Sequence, residues 1–217
     1  MGHRREQRSL TAIPEKRVLV WLARRLPAWV NSDHLTLLGL VSMLGAGLAF
    51  AAIRRSPLSV AAFVAALGAN WFGDSLDGTL ARVRDQQRPQ YGFYVDHVID
   101  LAGATFLLAG IAGSGLMHPV IALAILVGYL LVSAESSLAT HAVGVFHISF
   151  GGVGPTELRI LLASGAVFVP KEAGALDISG LVAAAGLAVA FTVSAIRNAR
   201  ALYRADPLQP RGAEKAA

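Results

Sequence analysis

Apolar stretches follow one another along this chain almost without a break, at about residues 35–53, 58–81, 93–112, 119–140 and 178–196, with a shorter one between Pro155 and Pro170. A membrane-spanning helix needs about 20 consecutive, mostly apolar residues. A water-soluble core has no room for so many such runs in 217 residues. The charged fraction is only 15%, against about a quarter for a soluble domain. The expected fold is therefore all-α and integral to the membrane, with six transmembrane helices, because helices satisfy their own backbone hydrogen bonds inside a bilayer. Residues 14–30, PEKRVLVWLARRLPAWV, mix Leu, Val and Trp with Lys and Arg at helical spacing, and Pro14 suits a helix start. That pattern predicts an amphipathic helix lying on the membrane surface. The chain then reads as one domain over 1–217: a surface helix at 14–30, a six-helix bundle at 35–196 and a tail at 197–217.

Charge sets the expected topology. Arg4, Arg5, Arg8, Lys16, Arg17, Arg24 and Arg25 precede the first span, and Arg197, Arg200, Arg204, Arg211 and Lys215 follow the last. Lys and Arg collect on the cytoplasmic side of membrane proteins, so both termini are expected there and the number of spans should be even. Arg54 and Arg55 fall on the opposite side, where arginines at a helix end can snorkel. The basic balance is thus a sign of topology and not of nucleic-acid binding. A bacterial plasma membrane is the expected location. The basic N-terminus lacks an apolar core before a small-residue site, and MGHRRE lacks the Ser/Thr of a myristoylation signal, so neither a cleaved leader nor a lipid anchor is expected. The absence of Cys excludes disulfides and thiolate chemistry. Small residues such as Gly39, Gly45, Gly47, Gly180, Ala184 and Ala188 permit close helix packing or a homodimer. No internal repeat is visible, which argues against transporters built from inverted halves.

Against this greasy background stand four aspartates, Asp74, Asp77, Asp96 and Asp100. Each would cost roughly 2.5–3.5 kcal/mol at the centre of a spanning helix. Asp74 and Asp77 are three residues apart and Asp96 and Asp100 four, so each pair lies on one face of its helix. Two helices each showing two carboxylates make an oxygen-rich cage suited to Mg2+ or Mn2+. Asn70, Asp74, Asp77 and Ala81 form one polar stripe. Gly73, Gly78 and Ala81 leave room for a bulky ligand near the backbone, and Arg82 can fork onto phosphate oxygens. Gly92 is expected to start the helix that carries Asp96, His97 and Asp100. Carboxylates for metal, an arginine for phosphate and small residues for access together suit a nucleotide-diphosphate site.

Asp74-x-x-Asp77-Gly78-x-x-Ala81-Arg82, then nine residues, then Gly92-x-x-x-Asp96-x-x-x-Asp100, resembles the signature of the CDP-alcohol phosphotransferase family. The resemblance implies a phospholipid-synthesising transferase that moves a phosphoalcohol from a CDP-linked donor to an acceptor hydroxyl and releases CMP. It also implies two divalent cations, held by Asp74, Asp77, Asp96 and Asp100, and a nucleotide site lined by Asp74, Gly78, Ala81 and Arg82. Asp100 is a ligand, the base for the acceptor hydroxyl, or both. A further family feature, often Pro-Asn-x-x-Thr, stands altered as Ser32-Asp33-His34-Leu35-Thr36. Thr36 is a candidate phosphate contact there, while Ser32 or Asp33 is expected to cap the helix.

Specificity is read from fewer residues. The donor is either CDP-diacylglycerol or a CDP-amino alcohol. A phosphorylated acceptor, inositol phosphate or glycerol phosphate, would call for Arg and Lys near the cytoplasmic ends of spans four to six. Residues 141–156 carry none, and Arg159 stands alone at the start of span five; Asn70, Gly92 and Arg159 are each candidate substrate or phosphate contacts. Asp96-His97-x-x-Asp100 and Gly154-Pro155-Thr156-Glu157 resemble the choline/ethanolamine branch, in which His97 would be a candidate base oriented by Glu135 or Glu157. The alternative is that His97 merely donates to a metal carboxylate. Glu135 is either a substrate contact or a hydrated residue at its helix end. The expectation leans to a non-phosphorylated alcohol, with the CDP-diacylglycerol-dependent enzymes of phosphorylated acceptors as the alternative. A membrane divalent-cation transporter is the rival of another class; it explains the aspartates but not Arg82 or the placed glycines.

Overall fold

In a computed structural model of the chain, residues 12–143, 155–170 and 172–206 are described, and they contain helices and no strands. The helices are α1 (Ala12–Ala23), α2 (Ser32–Ala51), α3 (Pro57–Val83), α4 (Pro89–Gly113), α5 (Pro119–Val143), α6 (Pro155–Phe168) and α7 (Asp177–Ala205). Arg4, Arg5, Arg8, Arg211, Lys215, Gly154 and the side chain of Glu157 lie outside the described residues.

Prolines and polar caps set the boundaries. Pro57, Pro89, Pro119 and Pro155 each open a helix, where a missing N–H is harmless and a fixed φ helps. The start expected at Gly92 therefore falls at Pro89. The cap of α2 is Asn31, and neither Ser32 nor Asp33: its side chain accepts from the His34 amide at 2.9 Å, and the His34 ring reaches back to the Asn31 amide. A capping box of this kind satisfies two of the otherwise orphaned N–H groups. The helix expected over 14–30 stops at Ala23, short of residue 30, and Arg84 gathers the carbonyls of Leu26, Pro27, Ala28 and Val30 at 2.5–3.5 Å and holds that segment as a turn. The tail expected from residue 197 is helical as far as Ala205.

Among the described residues, four helices are long and apolar enough to cross a membrane: α2, α4, α5 up to Thr140, and α7. α3 has 27 residues, about 40 Å at 1.5 Å per residue, but Asn70, Asp74, Asp77 and Arg82 make it less apolar. α6, with 14 residues, is short. Only 6% of the apolar windows of α5 and α7 is buried within the protein, so their outer faces suit lipid contact.

Glycines bring α2 against its neighbours. A Cβ on Gly73 would stand 2.5 Å from the Leu35 carbonyl oxygen and 2.8 Å from the Gly39 nitrogen. Gly110 of α4 packs on the backbone of Gly47, and Gly180 of α7 meets Met117 and Ile121. Met117 belongs to a core that also holds Phe50, Phe63, Leu67, Leu107, Ile111 and Leu116, with the Phe50 and Phe63 rings edge to face at 5.0 Å. At the other end Leu19 and Ala23 of α1 pack with Leu35, Leu76 and Leu80. α1 is thus bound to the bundle along one face, while Val18 and Trp21 are exposed on it. The C-terminal half of α3 is held between α1, α2 and α6, which is where its aspartates lie.

Candidate metal centre

The last turns of α3 and the first turns of α4 face one another across the loop 84–88, and this juxtaposition assembles the carboxylates. One oxygen each from Asp74, Asp96 and Asp100 lies within 4.8 Å of the others. Three carboxylate oxygens gathered this closely are a donor set that a hard divalent cation such as Mg2+ would take. Asp74 and Asp96 are half-buried and Asp100 is exposed. Asp77, one turn beyond Asp74, is within electrostatic range of Asp74 and Asp96. One of its oxygens accepts from the Thr36 hydroxyl at 2.8 Å and the other from the Gly78 amide. Thr36 therefore contacts a carboxylate, and the Ser32 hydroxyl donates to the Asp77 carbonyl at 2.8 Å. The N-terminus of α2 is in effect the clamp on Asp77.

Arg159 enters from α6. Its Nη2 donates to the Asp74 carboxylate at 2.5 Å and its Nε to the Asn70 side-chain oxygen at 2.7 Å. Asn70 in turn donates to the Gly39 carbonyl at 3.0 Å and is buried. The stripe residue Asn70 is thus the hinge between α2, α3 and α6, and Arg159 is committed to the α3 face. Arg82 is exposed and folds back over Gly78, donating to the Thr79 hydroxyl at 3.0 Å. Ala81 lies beside it and is half-buried, and Gly92 faces open space.

His97 and Glu135 each have partners that the sequence did not name. The Nδ1 of His97 lies 2.8 Å from the Phe93 carbonyl, which can only accept, so Nδ1 carries the proton. The ring also packs on Phe93, with centroids 4.1 Å apart. Phe93 orients this imidazole, and Glu135 does not. Glu135 binds α7 through the Ser194 hydroxyl at 2.6 Å and the Asn198 amide at 2.7 Å. An acidic residue inside a span is held by hydrogen-bond donors on the next helix, as the low dielectric requires.

Sequence reasoning missed three features. Tyr129 of α5 is within electrostatic range of Asp74, Asp96 and Asp100, one turn before Ser133. Glu15 of α1 reaches both α3 and α6. Arg197, Arg200 and Arg204 line a shallow cavity of about 400 Å3 with Asn198 and Ala201. The last was visible as a run of arginines at helical spacing, which a tail reading had set aside.

A family model described as CDP-alcohol phosphatidyltransferase matches residues 29–194. No curated protein matches the chain at the sequence level. Among solved structures, the phosphatidylinositol phosphate synthase of Mycobacterium tuberculosis, crystallised with CDP-DAG bound, superimposes with a TM-score of 0.63 at 21% identity, covering 89% of this chain and 100% of that one. At that identity the likeness speaks for the fold.

Proposed function

The chain belongs to the CDP-alcohol phosphatidyltransferase family, and from that premise we propose that it transfers a phosphoalcohol between a CDP-linked lipid donor and an acceptor hydroxyl, releasing CMP. The observation that carries this reading is the convergence of Asp74, Asp96 and Asp100, one oxygen of each within 4.8 Å of the others. Bound divalent cations, Mg2+ or Mn2+ and two in number, would supply charge neutralisation of the pyrophosphate and of the leaving CMP. Asp74, Asp96 and Asp100 would hold one of them, with Asp77 turned from Thr36 to complete the second.

The side chains account for the rest. Arg82, exposed over Gly78, is placed to fork onto the donor's phosphates. The acceptor oxygen forms a bond to the transferred phosphorus as the pyrophosphate bond breaks and CMP departs. The proton of the acceptor hydroxyl passes to Asp100, the exposed member of the cluster. Arg159 and Asn70 hold Asp74 in place while this occurs.

Donor and acceptor are the finer part of the proposal. A CDP-diacylglycerol donor is supported by the shared fold with a protein solved with CDP-DAG bound and by the lipid-suited faces of α5 and α7. The fold shared with a phosphatidylinositol phosphate synthase favours a phosphorylated acceptor, reversing the leaning drawn from residues 141–156. A second reading, a choline- or ethanolamine-type alcohol, is favoured by His97, whose protonated Nδ1 leaves Nε2 as a base. We place six spans, both termini and the site on the cytoplasmic side of a bacterial plasma membrane, following the arginines of α1 and α7. A matrix of CDP-linked donors against phosphorylated and free alcohols, scored by CMP release with Mg2+, tests all of this. CMP release from CDP-diacylglycerol only with a phosphorylated acceptor is expected; no release from any pair would overturn the enzymatic reading in favour of cation transport.

A further inference from the structure

Glu15 is an acidic residue on a basic helix, and its side chain does more than balance the neighbouring charges. One carboxylate oxygen, Oε1, accepts from the Trp71 indole N–H at 2.8 Å and from the Thr156 hydroxyl at 2.9 Å. Trp71 is three residues before Asp74 on α3, and Thr156 three residues before Arg159 on α6. On a helix, residues three apart share a face. Each partner of Glu15 therefore sits one turn from one member of the Asp74–Arg159 pair. Two helices are joined twice along the same seam, once by the ion pair at 2.5 Å and once by Glu15. The second junction comes from α1, which is otherwise fixed to the bundle through Leu19 and Ala23.

We propose that Glu15 is a positioning residue: it sets the spacing of α3 and α6 so that Arg159 meets Asp74, and it thereby makes the metal centre depend on the docking of α1. This rests on the catalytic reading above. A rotation of α6 that broke the Thr156 contact would draw Arg159 away from Asp74 Oδ2 and Asn70 Oδ1 together, because both bonds leave one rigid guanidinium. The acceptor at Glu15 must be an oxygen and need not be charged, since both donors are neutral. A glutamine can replace it; an alanine cannot.

The test uses the full chain in lipid nanodiscs with Glu15→Ala, Glu15→Gln and Trp71→Phe, each compared at equal folded protein. Three readouts separate positioning from mere structural support: kcat and KM for CMP release, the Kd for Mn2+ by electron paramagnetic resonance, and the indole N–H resonance of Trp71, which Trp71→Phe assigns. Glu15→Ala and Trp71→Phe are expected to lower kcat about ten-fold with the donor KM within about two-fold, and Glu15→Gln to stay within about three-fold of the parent. Glu15→Ala should also shift the Trp71 resonance and change the Mn2+ Kd by about three-fold or more, as Arg159 leaves its place beside the cluster. A parental kcat in Glu15→Ala, or a Glu15→Gln variant as impaired as Glu15→Ala, overturns the proposal. Should the parent release no CMP from any donor, the catalytic reading has failed, and an unchanged Mn2+ Kd in Glu15→Ala then overturns the positioning role independently.

Discussion

Arg159 and Asp74, 85 residues apart in sequence, form an ion pair at 2.5 Å that joins α6 to the carboxylate face of α3. The two side chains are 17% and 26% exposed, so water screens the pair only in part. Replacing Arg159 by Ala leaves Asp74 without its partner and the Asn70 oxygen without a donor. Full burial would put the loss near 3–5 kcal/mol; the partial exposure lowers the expectation to about 1–3 kcal/mol. Arg159→Lys keeps a charge for Asp74 but cannot bind Asn70 with the same fork, so it should recover stability more than activity. Thermal melts in detergent beside CMP-release rates check both halves, and an unchanged melt in Arg159→Ala contradicts the assignment.

The cluster itself predicts a metal dependence. Asp96→Asn and Asp100→Asn each replace a charged donor with a neutral one at the site that we propose holds the cations. Loss of several kcal/mol of charge stabilisation corresponds to a fall of at least about 100-fold in kcat. Chelation should abolish CMP release, and Mg2+ or Mn2+ should restore it in the parent chain while restoring little in Asp96→Asn. The Mn2+ Kd should weaken in parallel with the rate. Activity that survives chelation contradicts the reading.

The sequence made the helices legible because their boundaries are local chemistry. Pro57, Pro89, Pro119 and Pro155 stand at the helix starts, and the expected apolar segments meet the observed helices to within a few residues except at the C-terminal end of α7, which continues nine residues past residue 196. The pairing of Asp74 with Asp96 and Asp100 was equally legible, since helical spacing and a short loop leave few other arrangements. What the sequence hid is contact across long separations. Glu135 left open a substrate contact or a hydrated helix end, and neither alternative named its partners Ser194 and Asn198, which lie 59 and 63 residues away. The Asn31 cap was missed for a related reason: Ser32 and Asp33 are equally good capping residues, and only the backbone decides among neighbours. Arg84 is a further case, since its bonds reach 54–58 residues back.

Arg84 offers a third prediction. Its guanidinium spends its donors on the backbone carbonyls of Leu26, Pro27 and Val30, at 2.5–3.0 Å. A lysine cannot span those acceptors as a planar fork does. Arg84→Ala should cost about 1–3 kcal/mol and release the turn between α1 and α2. Limited proteolysis should then cut between residues 24 and 31 in the variant sooner than in the parent. Equal cleavage rates contradict a clamp at this position.

Thr36 offers a fourth. Its hydroxyl holds an oxygen of Asp77 at 2.8 Å. Thr36→Val keeps the shape and removes the donor, with an expected loss of about 1.5–3 kcal/mol in the hold on that carboxylate. Asp77 is then free to turn toward Asp74 and Asp96, so KM for the cation should change more than KM for the donor. Initial-rate titrations of Mg2+ in the two proteins measure this, and equal Mg2+ dependence contradicts it.

Gly73 and Gly68 lie on the same helix, five residues apart, and the structure predicts opposite fates for the same substitution. A Cβ at Gly73 meets backbone of α2, at the Leu35 oxygen and the Gly39 nitrogen, and backbone cannot swing aside as a side-chain tip can. Gly73→Ala must therefore push α3 from α2 next to Asp74, breaking the Asn70 bond to Gly39. Overpacking of this kind costs about 1–3 kcal/mol, and a displacement of 1 Å near reacting groups can cost about 100-fold in rate. At Gly68 nothing lies within 4 Å of the added carbon. Gly68→Ala should gain up to about 1 kcal/mol from helix propensity alone and leave the rate unchanged. Melting temperature and CMP release measured on both variants decide the matter. If Gly73→Ala were as active as Gly68→Ala, the close approach of α2 to α3 would not be what holds Asp74 in the cluster.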